Sequence, residues 1–412
     1  MKLLFITQYF PPEVGAPQNR IYELAIRLLE KGVDITVLTA MPNYPQMEIH
    51  KEYQNKKYVF ETMNDLKVHR SSIKVSKSKS IFTRLLGYFS FVISSYMVGI
   101  KKLDKKYDIV ICESPPLFLG ISAYFISKRK KAKFIFNISD LWPESAEKLG
   151  LVRNKLFLKL ASYLEEYLYK KAHLISGQTL GICNNISNRF PKKKIIWLPN
   201  GVDLSYYNPD NKTSSNWREK NNFKDTDILY FYGGIIGYAQ GLEIIINVAN
   251  KLKTNSKIKF IILGNGPEKE KLISLNNKLG LDNVFFFDVV TKDKMPNILL
   301  SVDYSIVPLK KLDLFLGAIP SKIFECLAMK VPIILGVDGE ARELFINKGN
   351  CGLYFEPENV EQLYIQIMKT IKDTELKTKL GNNARDYVLN NFNRENIAAN
   401  FKKELDKLFQ KK

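Results

Sequence analysis

Short apolar runs alternate with amphipathic helix patterns through both halves of this chain. Residues 2–8 form an apolar run that predicts a buried strand, the next turn contains Gly15, and residues 19–30 carry apolar side chains at helical spacing. The same order restarts at residues 228–232, where a glycine pair at 233–234 leads towards another helix pattern. Such alternation predicts doubly wound parallel sheets, which bind ligands beyond the carboxyl ends of their strands.

The domain organisation follows from length and from one change in composition. A chain of 412 residues is long enough for two or three domains. Residues 207–227 are rich in Asn, Asp, Lys, Thr and Ser, so we interpret them as a linker. The N-terminal domain is then 1–206 and the C-terminal domain 228–392. We expect a final helix, 393–412, to pack back towards the N-terminal domain, and we expect residues 360–408 to be helical with a break near Gly381.

Positive charge is concentrated in the first half of the chain. Of the net charge of +20, residues 1–204 carry +15, from 32 Lys and Arg against 17 Asp and Glu. Residues 66–103 contain no acidic side chain and include the apolar stretch 85–100. That stretch fits either a core helix or a helix lying in an anionic membrane interface. No nucleic-acid-binding motif accompanies the charge, so we expect no nucleic acid partner.

Metal binding and membrane spanning are not indicated by the sequence. The four cysteines and three histidines are scattered, which predicts buried free thiols and no metal site. No uninterrupted apolar run reaches the ~18 residues of a spanning helix, and prolines interrupt the apolar N-terminus too early for a signal peptide. We therefore expect a cytoplasmic protein.

Two groups of polar residues follow predicted strands or begin predicted helices. Ser321, Lys322 and Glu325 lie at the start of a helix pattern, where free N–H groups favour an anionic ligand. Asp140 follows the strand 134–138 and could act as a base or as an orienting carboxylate. The alternatives are an ordinary polar helix start for the first group and a helix N-cap for Asp140.

Six sets of motifs, in this order, resemble glycosyltransferase family 4, whose members are retaining transferases of the GT-B fold. They are ITQYFPPEVGAPQNR at 6–20, ESPPLFLG at 113–120 with DLWPES at 140–145, PNGVD at 199–203, YGGIIGYAQGL at 232–242, GNGPEKEKL at 264–272 and AIPSKIFECLAMKVPII at 318–334. The second of these sets resembles the branch that assembles O-antigen, capsule and colanic acid. Within the branch, the chain is most similar to L-fucosamine transferases.

The resemblance implies two Rossmann-like domains facing a cleft, with the acceptor on the N-terminal side. The donor would be a nucleotide sugar, UDP-linked, bound by the C-terminal domain without a metal or other cofactor. The acceptor would be an undecaprenyl-diphosphate-linked saccharide at the inner face of the plasma membrane, which the basic N-terminal half and residues 85–100 would contact.

The resemblance also assigns roles to single residues. Lys322 matches a cation that neutralises the diphosphate, Glu325 a carboxylate that binds the ribose, and Asp140 a polar residue beside the transferring carbon. These three are the expected catalytic residues. The expected donor-binding residues are Gly15, Gly233, Gly234, Gln240, Asn265, Ser321, Lys322 and Glu325.

Two departures from the family pattern are visible. Gly317 stands where the family has a Glu eight residues before Glu325, and Tyr238 and Gln240 occupy a region where an Arg and a Lys are usual. The first departure suggests a donor whose sugar lacks, inverts or acylates a hydroxyl.

The alternatives to a transferase that acts on a lipid-linked saccharide are a nucleotide-sugar 2-epimerase or a transferase acting on soluble acceptors, and more remotely a basic membrane- or nucleic-acid-binding protein without catalysis.

Overall fold

The computed structural model describes residues 1–13, 15–44, 46–77, 81–148, 150, 152–211 and 216–410. It divides into two compact units. Unit 1 comprises Met1–Asn200 together with Arg394–Lys412, and unit 2 comprises Gly201–Asn393.

Unit 1 is built on an eight-stranded sheet. Its strands are β1 (Lys2–Ile6), β2 (Asp34–Ala40), β3 (Tyr58–Met63), β4 (Leu66–Ser71), β5 (Ile109–Ser114), β6 (Lys133–Ile138), β7 (Leu174–Gly177) and β8 (Ile195–Trp197). The order across the sheet is β3-β4-β2-β1-β5-β6-β7-β8. All neighbours are parallel except β3 and β4, which form a hairpin at one edge. This hairpin was not predicted from the sequence.

Helices cover both faces of this sheet. They are α1 (Ala16–Glu30), α2 (Ile81–Lys101), α3 (Leu119–Lys130), α4 (Glu144–Lys148), α5 (Lys155–Lys171) and α6 (Leu180–Arg189). Local signals set several of their ends: Asn154 and Thr179 cap α5 and α6 through side-chain oxygens, and Gly32, at φ +78°, allows the chain to turn after α1.

Unit 2 has a six-stranded, wholly parallel sheet. Its strands are β9 (Ile228–Gly233), β10 (Ile258–Leu263), β11 (Val284–Phe287), β12 (Tyr304–Pro308), β13 (Ile333–Gly336) and β14 (Gly352–Tyr354). The order is β11-β10-β9-β12-β13-β14, which is the doubly wound order with a reversal between β9 and β12. The described strands therefore match the predicted fold class in both units.

The helices of unit 2 are followed by a last helix that returns to unit 1. They are α7 (Trp217–Lys220), α8 (Glu243–Lys251), α9 (Lys269–Leu279), α10 (Met295–Ser301), α11 (Lys322–Ala328), α12 (Glu340–Arg342), α13 (Val360–Lys372), α14 (Leu376–Asn391) and, in unit 1, α15 (Arg394–Gln410). A π-helical turn, Glu343–Lys348, continues α12. Helix α15 packs on α1, and its Ala398, Phe401 and Leu405 join the core that contains Leu3 and Ile21.

The predicted break near Gly381 is wrong. Gly381 lies inside α14 and is buried, and the helices are interrupted at 373–375 and 392–393 instead. A Cβ at Gly381 would lie 2.5 Å from the carbonyl oxygen of Lys330. The glycine is therefore explained by close packing of α14 on a neighbouring loop, and not by a turn.

The predicted linker is also corrected by the structure. The boundary falls after Asn200, and the described residues of 207–227 belong to unit 2; residues 212–215 lie outside the described part. Tyr207 and Phe223 are 3% and 6% exposed in the main core of unit 2. Arg218 forms a 2.7 Å ion pair with Asp303. A few anchoring residues thus fix a segment whose average composition is polar.

Helix α2, which contains residues 85–100, packs on the core with one side and exposes apolar side chains on the other. Phe91 and Val98 are buried in the core of unit 1, whereas Ile93 is 66% exposed. Within the described residues, no helix has both the length and the apolar character that crossing a membrane requires. Arg70, part of the acid-free run, is fully buried and bonded to Glu61 at 2.5 Å, so it adds nothing to a basic surface.

Candidate active site

Glycine turns at the carboxyl ends of β9 and β10 pack against each other in unit 2. Gly234 and Gly264 have φ values of +139° and +148°. A Cβ at Gly264 would lie 1.9 Å from the carbonyl oxygen of Gly234, so the two backbones approach as closely as only glycine permits. The Gly234 amide donates to the carbonyl of Leu263 at 2.9 Å. Gly233, the last residue of β9, is paired in the sheet with Leu263.

Lys322 lies against this turn. Its Nζ is 3.7 Å from the centroid of the Tyr232 ring, and a Cβ at Gly234 would lie 2.9 Å from the same Nζ. Gly234 therefore leaves room for the ammonium group. Desolvation lowers the pKa of Lys322 to about 7, while Cys326 and Glu325 oppose that shift. An anion beside the ammonium would replace the hydration that burial removes.

The helix that carries Lys322 is short. Helix α11 has seven residues, and its apolar side, including Ile323 and Leu327, is buried as the sequence predicts. Ser321 precedes it and makes no capping bond through its side chain. Glu325 lies in the first turn and is half-buried. The structure therefore brings Ser321, Lys322 and Glu325 together at one helix start.

A second cation approaches the turn after β9. Tyr238 and Gln240 begin and end a 3-10 helix, and Lys310 Nζ lies 3.4 Å from the centroid of the Tyr238 ring. The backbone amide of Lys310 donates to Ala239 at 2.9 Å. Lys310 was not predicted from the sequence, although a polar residue just beyond the carboxyl end of β12 is a recognisable signal. Lys310 therefore places a cation beside Tyr238 in the turn after β9.

Asn265 and Gly317 complete the predicted positions in unit 2. Asn265 is exposed, and its Oδ1 accepts a hydrogen bond of 2.7 Å from the Gly266 amide. Its carbonyl accepts from Ile236 at 2.9 Å, which ties the loops after β9 and β10 together. Gly317 ends the 3-10 helix Asp313–Gly317.

In unit 1, Gly15 and Glu13 occupy the loop between β1 and α1. Gly15 is extended, at φ 173°, so its backbone does not demand glycine. A Cβ there would lie 2.4 Å from the side-chain oxygen of Gln18. Glu13, missed by the sequence analysis, is buried and accepts backbone N–H bonds from Asn43 at 2.7 Å and Tyr44 at 2.8 Å. It joins this loop to the one after β2.

Asp140 follows β6 and is not a helix N-cap. Its Oδ2 accepts a hydrogen bond of 2.7 Å from the Ser145 hydroxyl, and α4 begins only at Glu144. Desolvation raises the pKa of Asp140, and the bonds from Ser145 and from the Leu141 amide partly oppose the shift. The N-cap alternative is therefore set aside, and a half-buried carboxylate remains at the strand end.

A buried polar network fixes the strand ends beside Asp140. Glu113, at 4% exposure, accepts from Arg20, Ser139 and Asn137. Asn137 in turn accepts from Ser176 at 2.7 Å. The network joins α1 to the ends of β5, β6 and β7. Because buried charges require such pairing, its role is to hold this edge of the sheet in place.

A cavity of about 290 Å³ opens at the ends of β1, β2 and β4, against the start of α2. Gln8 lines it, is 4% exposed, and has a side-chain oxygen without a hydrogen-bond partner. The rings of Tyr9 and Tyr44, 5.8 Å apart, form part of the wall, and Tyr88 and Lys74 lie on the α2 side. The cavity is thus aromatic and polar, with a cation at its edge.

All four cysteines are free and buried, as the sequence predicts. Throughout the described ranges, no three His, Cys, Asp or Glu side chains are grouped so as to hold a metal ion.

Two doubly wound α/β units, the second with glycine turns at the ends of β9 and β10, have the fold of the GT-B glycosyltransferases. The solved structures that resemble the chain agree. Sucrose-phosphate synthase from Thermosynechococcus elongatus superposes with a TM-score of 0.77 at 14% identity, covering 100% of both chains. The lipopolysaccharide glycosyltransferase WaaG gives a TM-score of 0.67 at 16% identity, over 97% of this chain and 98% of that one.

Two family models match adjacent parts of the chain. "Glycosyltransferase Family 4" matches residues 17–206, and "Glycosyl transferases group 1" matches residues 213–387. The chain belongs to the glycosyltransferases of family 4. Among curated relatives, Escherichia coli (strain K12) WcaI, named provisionally as a colanic acid biosynthesis glycosyl transferase, is 26% identical over 97% of this chain and 98% of its own length. An uncharacterised glycosyltransferase of Methanocaldococcus jannaschii, MJ1607, is 23% identical over 97% and 96%.

Proposed function

We propose that this glycosyltransferase moves a sugar from a nucleotide-diphosphate donor to a lipid-linked saccharide during bacterial surface polysaccharide synthesis. The similarity to WcaI along nearly the whole chain supports the polysaccharide context. The reaction class would be retaining transfer, as is typical of the family. The observation that carries the donor half of the proposal is the position of Lys322 between the Tyr232 ring and the Gly234 turn.

The donor diphosphate would be held by Lys322, with Glu325 binding the ribose. Charge builds up on the departing diphosphate as the bond to the sugar breaks, and a cation fixed beside it stabilises that charge. The tyrosine face and the glycine turn hold the ammonium before the donor arrives, so little reorganisation is needed. A structure of the Anabaena protein Alr3699/HepE contains UDP and glucose, at 16% identity and a TM-score of 0.71 over 99% of this chain and 100% of that one. We propose a UDP-linked donor here as well.

The acceptor saccharide would bind unit 1 beside Asp140, which would orient the reacting groups. The cavity lined by Gln8, Tyr9, Tyr44 and Tyr88 supports acceptor binding by unit 1, because aromatic rings and an unsatisfied amide oxygen suit a sugar, although Asp140 is not among its lining residues. Its volume of about 290 Å³ is near the lower limit of small-ligand pockets, ~300 Å³. An undecaprenyl-diphosphate-linked saccharide is the acceptor class we propose.

The donor sugar would differ from glucose at one hydroxyl. Gly317 stands in place of the family Glu that is expected to bind sugar hydroxyls. A donor that lacks, inverts or acylates a hydroxyl would therefore lose little binding affinity at this site. An N-acetylated 6-deoxy amino sugar such as L-fucosamine fits this description. A donor screen by mass spectrometry, with a lipid-diphosphate monosaccharide as acceptor, tests it. A clear preference for UDP-glucose would remove the hypothesis, and C2-epimerised nucleotide sugar without transfer would favour the epimerase alternative.

Substitution of Lys322 tests the donor site. We expect Lys322→Ala to lower the transfer rate by a factor of about 100–1000, as the loss of one fixed electrostatic donor does, while the fold remains intact. Lys369→Ala, at an exposed position on α13, is the matched control and should transfer at the normal rate. Near-normal turnover by Lys322→Ala, with a normal circular dichroism spectrum, would contradict the assignment.

A further inference from the structure

Helix α5 exposes a line of large apolar side chains that the sequence analysis did not identify. Leu156, Leu160, Tyr163 and Tyr167 are 68%, 59%, 59% and 43% exposed. Their spacing of four, three and four residues places them on one side of the helix. The opposite side, with Leu158 and Leu168, is buried in unit 1. Helix α5 therefore has an apolar side towards the core and a second one towards solvent.

Helices α2 and α3 continue this apolar surface. Helix α3 packs against both α2 and α5, and ring contacts link the three. The rings of Tyr124 and Tyr167 are 5.8 Å apart, and Phe118 lies 4.8 Å from Phe89 and 6.2 Å from Phe157. We call the resulting surface the α2–α3–α5 face. Its exposed apolar members are Leu86, Phe89, Ile93, Met97, Phe125, Leu156, Leu160, Tyr163 and Tyr167.

This is a large apolar surface for a soluble domain. Isolated exposed apolar residues are ordinary, but contiguous groups mark interaction sites. Tyrosine, phenylalanine and leucine in this arrangement are the residue types that interfacial helices insert at the boundary between headgroups and acyl chains. The face therefore requires a partner, and its charge indicates which kind.

The three helices carry nine Lys and Arg and only two Glu. Both glutamates are paired: Glu165 is buried and accepts from Arg189 at 2.5 Å, and Glu166 lies 3.3 Å from Lys170. Exposed cations stand at the helix ends, among them Lys128 and Arg129 of α3. A second copy of this chain, docked through the same face, would place like charges together. An anionic lipid surface instead complements them.

We propose that the α2–α3–α5 face docks unit 1 on an anionic bilayer surface, with the apolar side chains at the headgroup level and the flanking cations at lipid phosphates. The partner is a phospholipid bilayer with negatively charged headgroups. The proposal stands on the composition of this surface and does not depend on the transfer reaction. It extends the contact expected from residues 85–100 to a second helix, α5.

Vesicle flotation tests the proposal. The full chain should float with phosphatidylcholine vesicles that contain phosphatidylglycerol, and bind weakly to phosphatidylcholine alone. The double variant Leu156→Gln, Leu160→Gln should lose binding by about tenfold or more, since burying one leucine side chain corresponds to at least a tenfold change in partition. Ile365→Gln is the matched control, because Ile365 is 53% exposed on α13 of unit 2; it should bind as the wild type does.

A charge variant measures the electrostatic contribution to vesicle binding separately from the apolar one. Lys128→Gln with Arg129→Gln should weaken binding to phosphatidylglycerol vesicles and reduce its dependence on salt, because surface attraction is screened over about 10 Å at 0.1 M. Circular dichroism spectra should be unchanged in all variants, which shows that they fold and keeps the test independent of the proposed function. The proposal is overturned if the wild type does not bind anionic vesicles or if the leucine variant binds normally. It is also overturned if sedimentation shows a wild-type dimer that the leucine variant dissociates.

Discussion

Replacing Lys322 with methionine should make donor binding independent of pH near neutrality. In the free protein, desolvation holds the pKa of Lys322 at about 7. A bound diphosphate would favour the ammonium form and return the pKa towards the ordinary 10.5. Binding must then take up a proton wherever the free lysine is neutral.

The size of the effect follows from those two pKa values. At about pH 8 the free lysine is roughly 10% protonated and the bound lysine almost fully so, which predicts uptake of about 0.9 proton per UDP bound. The dissociation constant should rise about eightfold between about pH 7.5 and 8.5. UDP is a suitable probe in this range because the last phosphate ionisation, near pH ~6, is complete.

Calorimetry in buffers of different ionisation enthalpy measures the uptake directly. Methionine retains the length and the contact with Tyr232 but has no charge, so Lys322→Met should bind weakly, with an affinity that does not change with pH. A wild-type affinity that is flat over this range would refute the reasoning, as would equal proton uptake by the variant.

Stability gives an independent check of the same pKa. The folded-state pKa of Lys322 lies below the unfolded one, so between pH 7 and 10.5 the unfolded chain binds more protons. The destabilising contribution is complete below pH 7 and disappears as the pH rises to 10.5. In urea unfolding, the advantage of Lys322→Met over the wild type should therefore shrink across this window.

Three further substitutions test the backbone and Asp140. Gly264→Ala would place a Cβ 1.9 Å from a backbone oxygen at φ +148°, and it should lower the free energy of unfolding in urea by about 2–4 kcal/mol. The control Gly280→Ala, at φ +61° with open space around it, should lower it by only about 1–2 kcal/mol. Equal losses would contradict the packing argument. Gly381→Ala should destabilise by about 1–3 kcal/mol despite its better helix propensity, because its Cβ meets a backbone carbonyl at 2.5 Å; a more stable variant would be evidence against this. Asp140→Asn should lower the transfer rate by about 100-fold or more. It should also remove the loss of activity that the wild type shows as the pH falls through the raised pKa of Asp140. An unchanged pH–rate profile would exclude Asp140 as a catalytic carboxylate.

The strands and helices that alternate strictly were predictable from local pattern. The hairpin β3–β4 was not, because its strands, Tyr58–Met63 and Leu66–Ser71, are interrupted by Glu61, Lys67 and Arg70 and so form no unbroken apolar run. One of these, Arg70, is fully buried only because Glu61 and the Pro11 carbonyl accept its hydrogen bonds. Composition likewise assigned residues 207–227 to a linker, since a few anchoring side chains do not alter the average of a polar segment.

The site residues divide in a similar way. Lys322 and Asp140 could be found from sequence because each follows a recognisable strand or helix signal. Glu13 and Glu113 could not, because their significance lies in partners distant in the chain. Glu13 binds amides about 30 residues away, and Glu113 binds Arg20, 93 residues away. Polar residues of this kind look like ordinary loop or strand residues until the fold brings their partners to them.

The sequence by itself determined the two-sheet architecture, the glycine turns and the presence of a lysine at the start of α11, because periodicity and turn chemistry act between near neighbours. The tertiary structure decided the pKa of that lysine. Tyr232 and Gly234, about 90 residues earlier in the chain, lie directly against its ammonium group. Desolvation by distant neighbours therefore sets its pKa at about 7.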